Sequence, residues 1–266
     1  LSNVHTGGFM SLFTGQGTAT SSGSIVVKTT NAGTAGVSGH LTFSSGTTTS
    51  GSSGELKVGT GTSTKGKGGS ISITVGTGDT LAGGVVTIIA GKGATAGGSL
   101  TAIAGISTAG ADNKGGFLNV AAGLSTAGTG GHVSLTSGVG TATSSGLIKI
   151  STPNAGTAGV SGHLTFSSGT TTSGSSGELK VGTGTSTKGK GGSISITVGT
   201  GDTVAGGVLT LRAGATTTTA ATKSGGHVFV NTGLSNVHTG GFMSLFTGQG
   251  TATSSGSIVV KTTNAG

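Results

Sequence analysis

Along almost the whole chain, large aliphatic residues stand at alternate positions for about six residues, give way to about eight residues of Gly, Thr, Ser and Ala, and then return. The segment Ser70-Ile71-Ser72-Ile73-Thr74-Val75 shows the form. Alternation with a period of two marks an extended strand with one face turned to an interior. A glycine opens each segment, at Gly8, Gly23, Gly39, Gly54, Gly69, Gly84, Gly98, Gly116, Gly131, Gly146, Gly162, Gly177, Gly192, Gly207, Gly226, Gly241 and Gly256. Counted from it, the second and fourth positions hold Met10 and Leu12, Ile25 and Val27, Leu41 and Phe43, Leu56 and Val58, Ile71 and Ile73, Val86 and Ile88, Val133 and Leu135, and Val228 and Val230. These sixteen residues are the predicted core. The sixth position is small at Thr14, Ser45, Ala90, Ala104, Ala122 and Ser137, which suits a narrowing corner.

Longer periods lie over this one. Residues 1–33 return letter for letter as residues 234–266, a period of 233, and residues 37–84 match 160–207 almost without change, a shift of 123. The organisation predicted is one continuous array over 1–266, with repeats 1–123 and 124–233 and a restart at 234–266. Self-similarity at a short fixed period is the mark of stacked supersecondary modules, and a sequence that re-enters itself reads as a window on a tandem array.

The fold class this predicts is all-β: a single-chain β-solenoid of about 17 coils of roughly 15 residues, with parallel strands stacked at about 4.8 Å. Helices are excluded because each glycine in a helix interior costs about 1 kcal/mol against alanine, and the chain holds 60 of them. Collagen is excluded because glycine does not recur at every third residue. Glycine and serine with few aromatics is also the composition of disordered chains. The matched pairs of aliphatics argue for order, since a flexible linker has no reason to carry them. Two large side chains cannot offset the ordering of a whole unit, so the expectation is that stability runs between neighbours.

Composition narrows the function classes. There is no Cys, Trp or Tyr, which removes disulfides and thiolate metal sites. No run of 18 apolar residues predicts a membrane-spanning helix, and no charged, apolar leader stands at Leu1. The net charge of +8 is scattered, with one repeated cluster at Lys57, Lys65 and Lys67 and again at Lys180, Lys188 and Lys190. A nucleic-acid reader would have a dense basic stripe or aromatic stacking platforms, so no nucleic-acid partner is expected.

Candidate chemistry is thin. Residues 61–68, GTSTKGKG, and their copy at 184–191 approach a phosphate-binding loop but put Gly68 and Gly191 where the magnesium hydroxyl would stand. Asp79 and Asp202 read as turn caps, and His40, His132, His163 and His227 fall at one outward place in distant units. Glu55 and Asp79 are more than one unit apart, too far for a paired-carboxylate site. No catalytic residue, metal or cofactor is expected.

Two surface features rise above this background. Outward positions carry apolar residues at Phe9, Phe13, Val85, Ile89, Phe117 and Phe229, which predicts lateral contact with another chain. The return segments are dense in hydroxyls at Thr18, Thr20, Thr47, Thr49, Thr62, Thr64, Thr170, Thr172, Thr216 and Thr218. Three readings of these stay open: surface and turn residues chosen for conformation, carriers of O-linked glycans, or a flat threonine array matched to ice. No Asn-x-Ser/Thr sequon occurs, so N-linked sugars are not available.

The units GGSISITVGTGDTLA, GGFMSLFTGQGTATS and GGHVSLTSGVGTATS resemble the repeats of long Gly-, Ser- and Thr-rich β-solenoid proteins of extracellular fibrils, such as the mastigoneme and glycofibril proteins of algae and other protists, and more distantly phage tail fibres. The resemblance covers the whole chain. It implies a non-enzymatic structural fibre segment outside the cell, self-associating along and beside its axis and O-glycosylated. An ice-binding or adhesive module is the alternative.

Overall fold

The computed structural model describes residues 7–108, 114–202, 205–217 and 223–262. The backbone groups by proximity into two units, Leu1–Ser134 and Leu135–Gly266. Both are built from one element, an extended segment of about six residues followed by a loop that closes on its own base.

The extended segments form because each carries β-branched and aliphatic residues in alternation, a pattern that favours extended backbone. Their geometry shows in contacts two residues apart on one face. Lys57 Nζ lies 2.9 Å from Glu55 Oε2, the hydroxyls of Ser72 and Thr74 are 3.3 Å apart, and the rings of His227 and Phe229 are 5.7 Å apart. The period of two read from the sequence is therefore present in the backbone.

The expected β-solenoid is not. Among the described residues there is no helix and no β-strand. A solenoid requires each segment to bond to the segment one unit, about 15 residues, away. Here the amide of Gly23 donates instead to the carbonyl of Gly15, eight residues back, and the other closing bonds reach back between seven, at Gly98, and twelve, at Gly226, each within a single loop. A loop-closing bond is completed by one loop alone, whereas a ladder gains only when several neighbours stack together. The chain is an extended coil punctuated by closed loops.

None of the predicted core residues is buried. Met10, Leu12, Ile25, Val27, Leu41, Phe43, Leu56, Val58, Ile71, Ile73, Val86, Ile88, Val133, Leu135, Val228 and Val230 are all exposed, and the described residues include no buried side chain of any kind. Without stacked segments there is no second surface to close over them. The accessible area of 26494 Å² gives the scale. A compact protein of this mass would expose about 10,000 Å² and a fully unfolded chain about 36,000 Å², so only about a third of the burial available to a compact fold is realised.

Exposure is nevertheless ordered. Ile25 and Val27 are 52% and 55% exposed, and Val26 between them is 75%. Copies of one sequence show where the partial shelter comes from. Met10 is 94% exposed while its copy Met243, which follows the closed loop ending at Gly241, is 58% exposed. Val27, which precedes the loop from Thr29 to Gly39, is 55% exposed, whereas its copy Val260 is 92%. The second position is thus sheltered by the loop before it and the fourth by the loop after it. The sheltered residues are those two places outside the feet of a loop.

No helix among the described residues is long and apolar enough to cross a membrane. Amide exchange on the dilute, monomeric protein checks this architecture. Residues in the extended segments are expected to exchange at close to intrinsic rates, with slowing confined to the opening glycines whose amides close the loops. Protection running through whole segments would contradict it.

Candidate functional site

The recurring site is the base of the loop, where the opening glycine of one segment meets the sixth residue of the segment before. Among the described residues nine opening glycines donate their amide to a glycine carbonyl at the other foot, including Gly98 to Gly91, Gly116 to Gly105 and Gly226 to Gly214, each at 2.8 Å. Where the sixth residue is Thr14, Thr29, Thr60, Thr152 or Thr183, its hydroxyl donates to the carbonyl of the opening glycine at 3.1 to 3.3 Å. The two kinds of bond coexist at Gly23.

Steric fit explains both partners. A Cβ added to Gly23 or Gly69 would stand 3.0 Å from the Cβ of Thr14 or Thr60, and one added to Gly192 would stand 2.9 Å from that of Thr183. At Gly98, Gly116 and Gly226 the added Cβ would meet first the backbone of Gly91, Gly105 or Gly214, at 3.1 to 3.3 Å, with the methyl of Ala90, Ala104 or Ala213 beyond it at 3.5 Å. The clasp therefore needs no side chain on one foot and a small one on the other. This corrects the reading of the small sixth residue as a solenoid corner. It is small because the glycine backbone lies against it.

The little shelter among the described residues is shared between the clasps and the loops above them. Ala90, Ala104, Ser137 and Ala213, all sixth residues, are among the few that are half-buried. Val75 and Val198 are the exceptions to smallness, and at 38% and 39% they are the least exposed of the large apolar residues. Val75 reaches over Gly84 and Val198 over Gly207.

Above the feet, hydroxyls shape the loops. Ser63, Ser125 and Ser186 accept a bond from the amide three residues on, at Gly66, Gly128 and Gly189, and Ser235 accepts one from His238, all at 2.9 Å. Thr48 and Thr171 donate to the carbonyls of Ser50 and Ser173. Beside them, Gly51 and Gly174 have φ of +109° and +113°, a region closed to most side chains. Within these loops Thr18, Thr20, Thr47, Thr49, Thr62, Thr64, Thr170, Thr172 and Thr216 are exposed, and Thr218 lies outside the described residues.

The sequence left open that the loop hydroxyls serve conformation, without assigning which of them make turn bonds. A signal for the serines was present, a Ser three residues before Gly in STKG, STAG and STKG again, which is the spacing of a serine turn. The phosphate-loop look-alike at 61–68 is one of these turns: its Gly66 amide is used by Ser63.

The remaining candidates stay apart. Among the described residues no three His, Asp or Glu side chains come together in a way that could hold a metal ion, and the described surface encloses no cavity. Lys57 and Lys180 pair with Glu55 and Glu178 at 2.9 and 3.1 Å, with both partners well exposed, so each pair contributes at most about 1 kcal/mol. Phe9, Phe13, Val85, Ile89, Phe117 and Phe229 are each more than four-fifths exposed.

The clasp yields a direct test. Gly84→Val drives a side chain into Val75, whereas the same change at Gly59 meets nothing within 4 Å of the new Cβ. The first is expected to lower protection of the residue 84 amide about fivefold, equivalent to about 1 kcal/mol, and the second to leave it unchanged. Adding Val75→Ala to Gly84→Val should restore most of the loss, read by amide exchange. Turning to known proteins, no protein-family model matches the chain, and no curated protein and no solved structure matches it either.

Proposed function

We propose that this chain is a non-enzymatic structural segment of an extracellular fibre, assembled by association between copies and carrying O-linked sugars on its threonine- and serine-rich loops. The observation that carries this reading is recurrence. The same alternating segment and the same glycine clasp return through the chain, and residues 1–33 return unchanged as 234–266. Each added copy of a short element lengthens the array, which is the property a fibre needs.

Two further facts support it. The loop threonines are exposed, as acceptors of sugars must be, and the hydroxyls used to shape the loops are largely different ones, such as Thr48 beside Thr47 and Thr49. The likeness of GGSISITVGTGDTLA and its fellows to fibril repeats points to the cell exterior.

Electron microscopy and intact mass test the proposal together. Concentrated protein is expected to form filaments, and protein isolated from its source should exceed the 24.6 kDa of the bare polypeptide by multiples of a sugar residue. A chain that stays dispersed at every concentration, at its bare mass, is not a glycosylated fibre segment.

A further inference from the structure

The second and fourth positions of the 17 segments make 34 sites. Thirty-three hold Val, Ile, Leu, Met or Phe, and the last holds Ala102. No charge and no hydroxyl interrupts them. Every basic residue inside a segment falls instead on an odd position: Lys28, Lys57, Lys149, Lys180, Arg212 and Lys261. Contacts between residues two apart, such as Lys57 with Glu55, keep the odd positions on a face of their own. The even face is thus apolar throughout and free of charge, yet its large residues are about half exposed or more.

From this we infer that the even face is the seam on which a second copy of this chain docks, an inference that rests on the fibre reading and assigns its contact surface. The area of the whole chain, of which the even face is a part, sets the scale of what is left uncovered. The chain exposes 26494 Å² where a compact monomer of its mass would expose about 10,000 Å². The excess is about ten times the roughly 1,600 Å² buried in a standard protein interface. A small ligand or a short peptide covers only a fraction of it. The occupant must present apolar side chains in pairs, repeating at about 15 residues on extended backbone, and a second copy does so by construction.

Charge sets how the copies meet. Two even faces brought together desolvate no ionised group, because the lysines stand on the opposite face or in the loops. Each copy carries a net +8, however, so like chains repel at long range. Added salt screens that repulsion and strengthens apolar burial, so the seam tightens with ionic strength, whereas docking of an acidic partner weakens. The odd-face residues Phe9, Phe13, Val85 and Ile89 belong to segments whose odd faces also carry Ser11 or Thr87, so the inferred seam runs on the other face.

The chain supplies its own probe, since its two methionines, Met10 and Met243, both occupy second positions. Their conversion to sulfoxide by dilute peroxide, followed by peptide mass analysis, is measured against protein and salt concentration, beside the mass from sedimentation equilibrium. On association the rate is expected to fall about tenfold while the sedimenting mass rises, both more steeply at high salt. The pair Ile73→Lys with Ile196→Lys should abolish the effect. The pair Val26→Lys with Val259→Lys, which places equal charge on the odd face, should leave it intact.

Equal oxidation at all concentrations, or loss of association in the odd-face pair alone, overturns the seam. Protection independent of concentration, at the mass of one chain, overturns it in favour of closure within a single copy. Association that salt weakens overturns it in favour of an acidic partner. Filaments that persist in the even-face pair defeat the seam and leave the fibre reading standing; wild-type protein that never forms filaments defeats the fibre reading.

Discussion

A glycine lying against a small side chain, with one short hydrogen bond across the gap, is the contact on which the rest of this molecule depends. It is made within a single loop. The amide of the opening glycine finds its acceptor eight residues back at Gly23, so the bond asks nothing of neighbouring units. At nine glycines among the described residues the amide at the head of a segment is engaged within its own loop, and no ladder joins the described segments.

The consequences reach the side chains. The residue two places before a clasp and the residue two places after it are partly sheltered, as Val27 and Met243 show against their exposed copies. Among the described residues the apolar even positions of the extended segments stay about half exposed or more. Free energy gained by burial scales with the area removed from water, and this chain keeps most of that area in contact with water. An element that gains little alone and more with each partner added is suited to assembly.

Glycine and hydroxyl residues divide the labour of the loops. Glycine allows the close approach at Gly69 against Thr60 and the positive φ at Gly51 and Gly174. Hydroxyls at Ser63, Ser186, Thr48 and Thr171 satisfy backbone groups that a short loop would otherwise leave to solvent. Much of the composition that resembles disorder is therefore specific to position.

How far the sequence alone reached can be stated from these residues. The unit length, the opening glycines, the two faces of Ile71-Ser72-Ile73 and the smallness of the sixth residue were all legible in it, because each is a property of local backbone geometry within one unit. The division between Phe9 and Phe13 on one face and Met10 and Leu12 on the other was legible for the same reason. What only the tertiary structure decided is where each segment's hydrogen bonds go and whether Ile25 or Val86 is dry. Alternation tells which side of a segment prefers to leave water, but burial takes a second surface, and the pattern of one chain is the same whether that surface is its own next unit, another molecule or none.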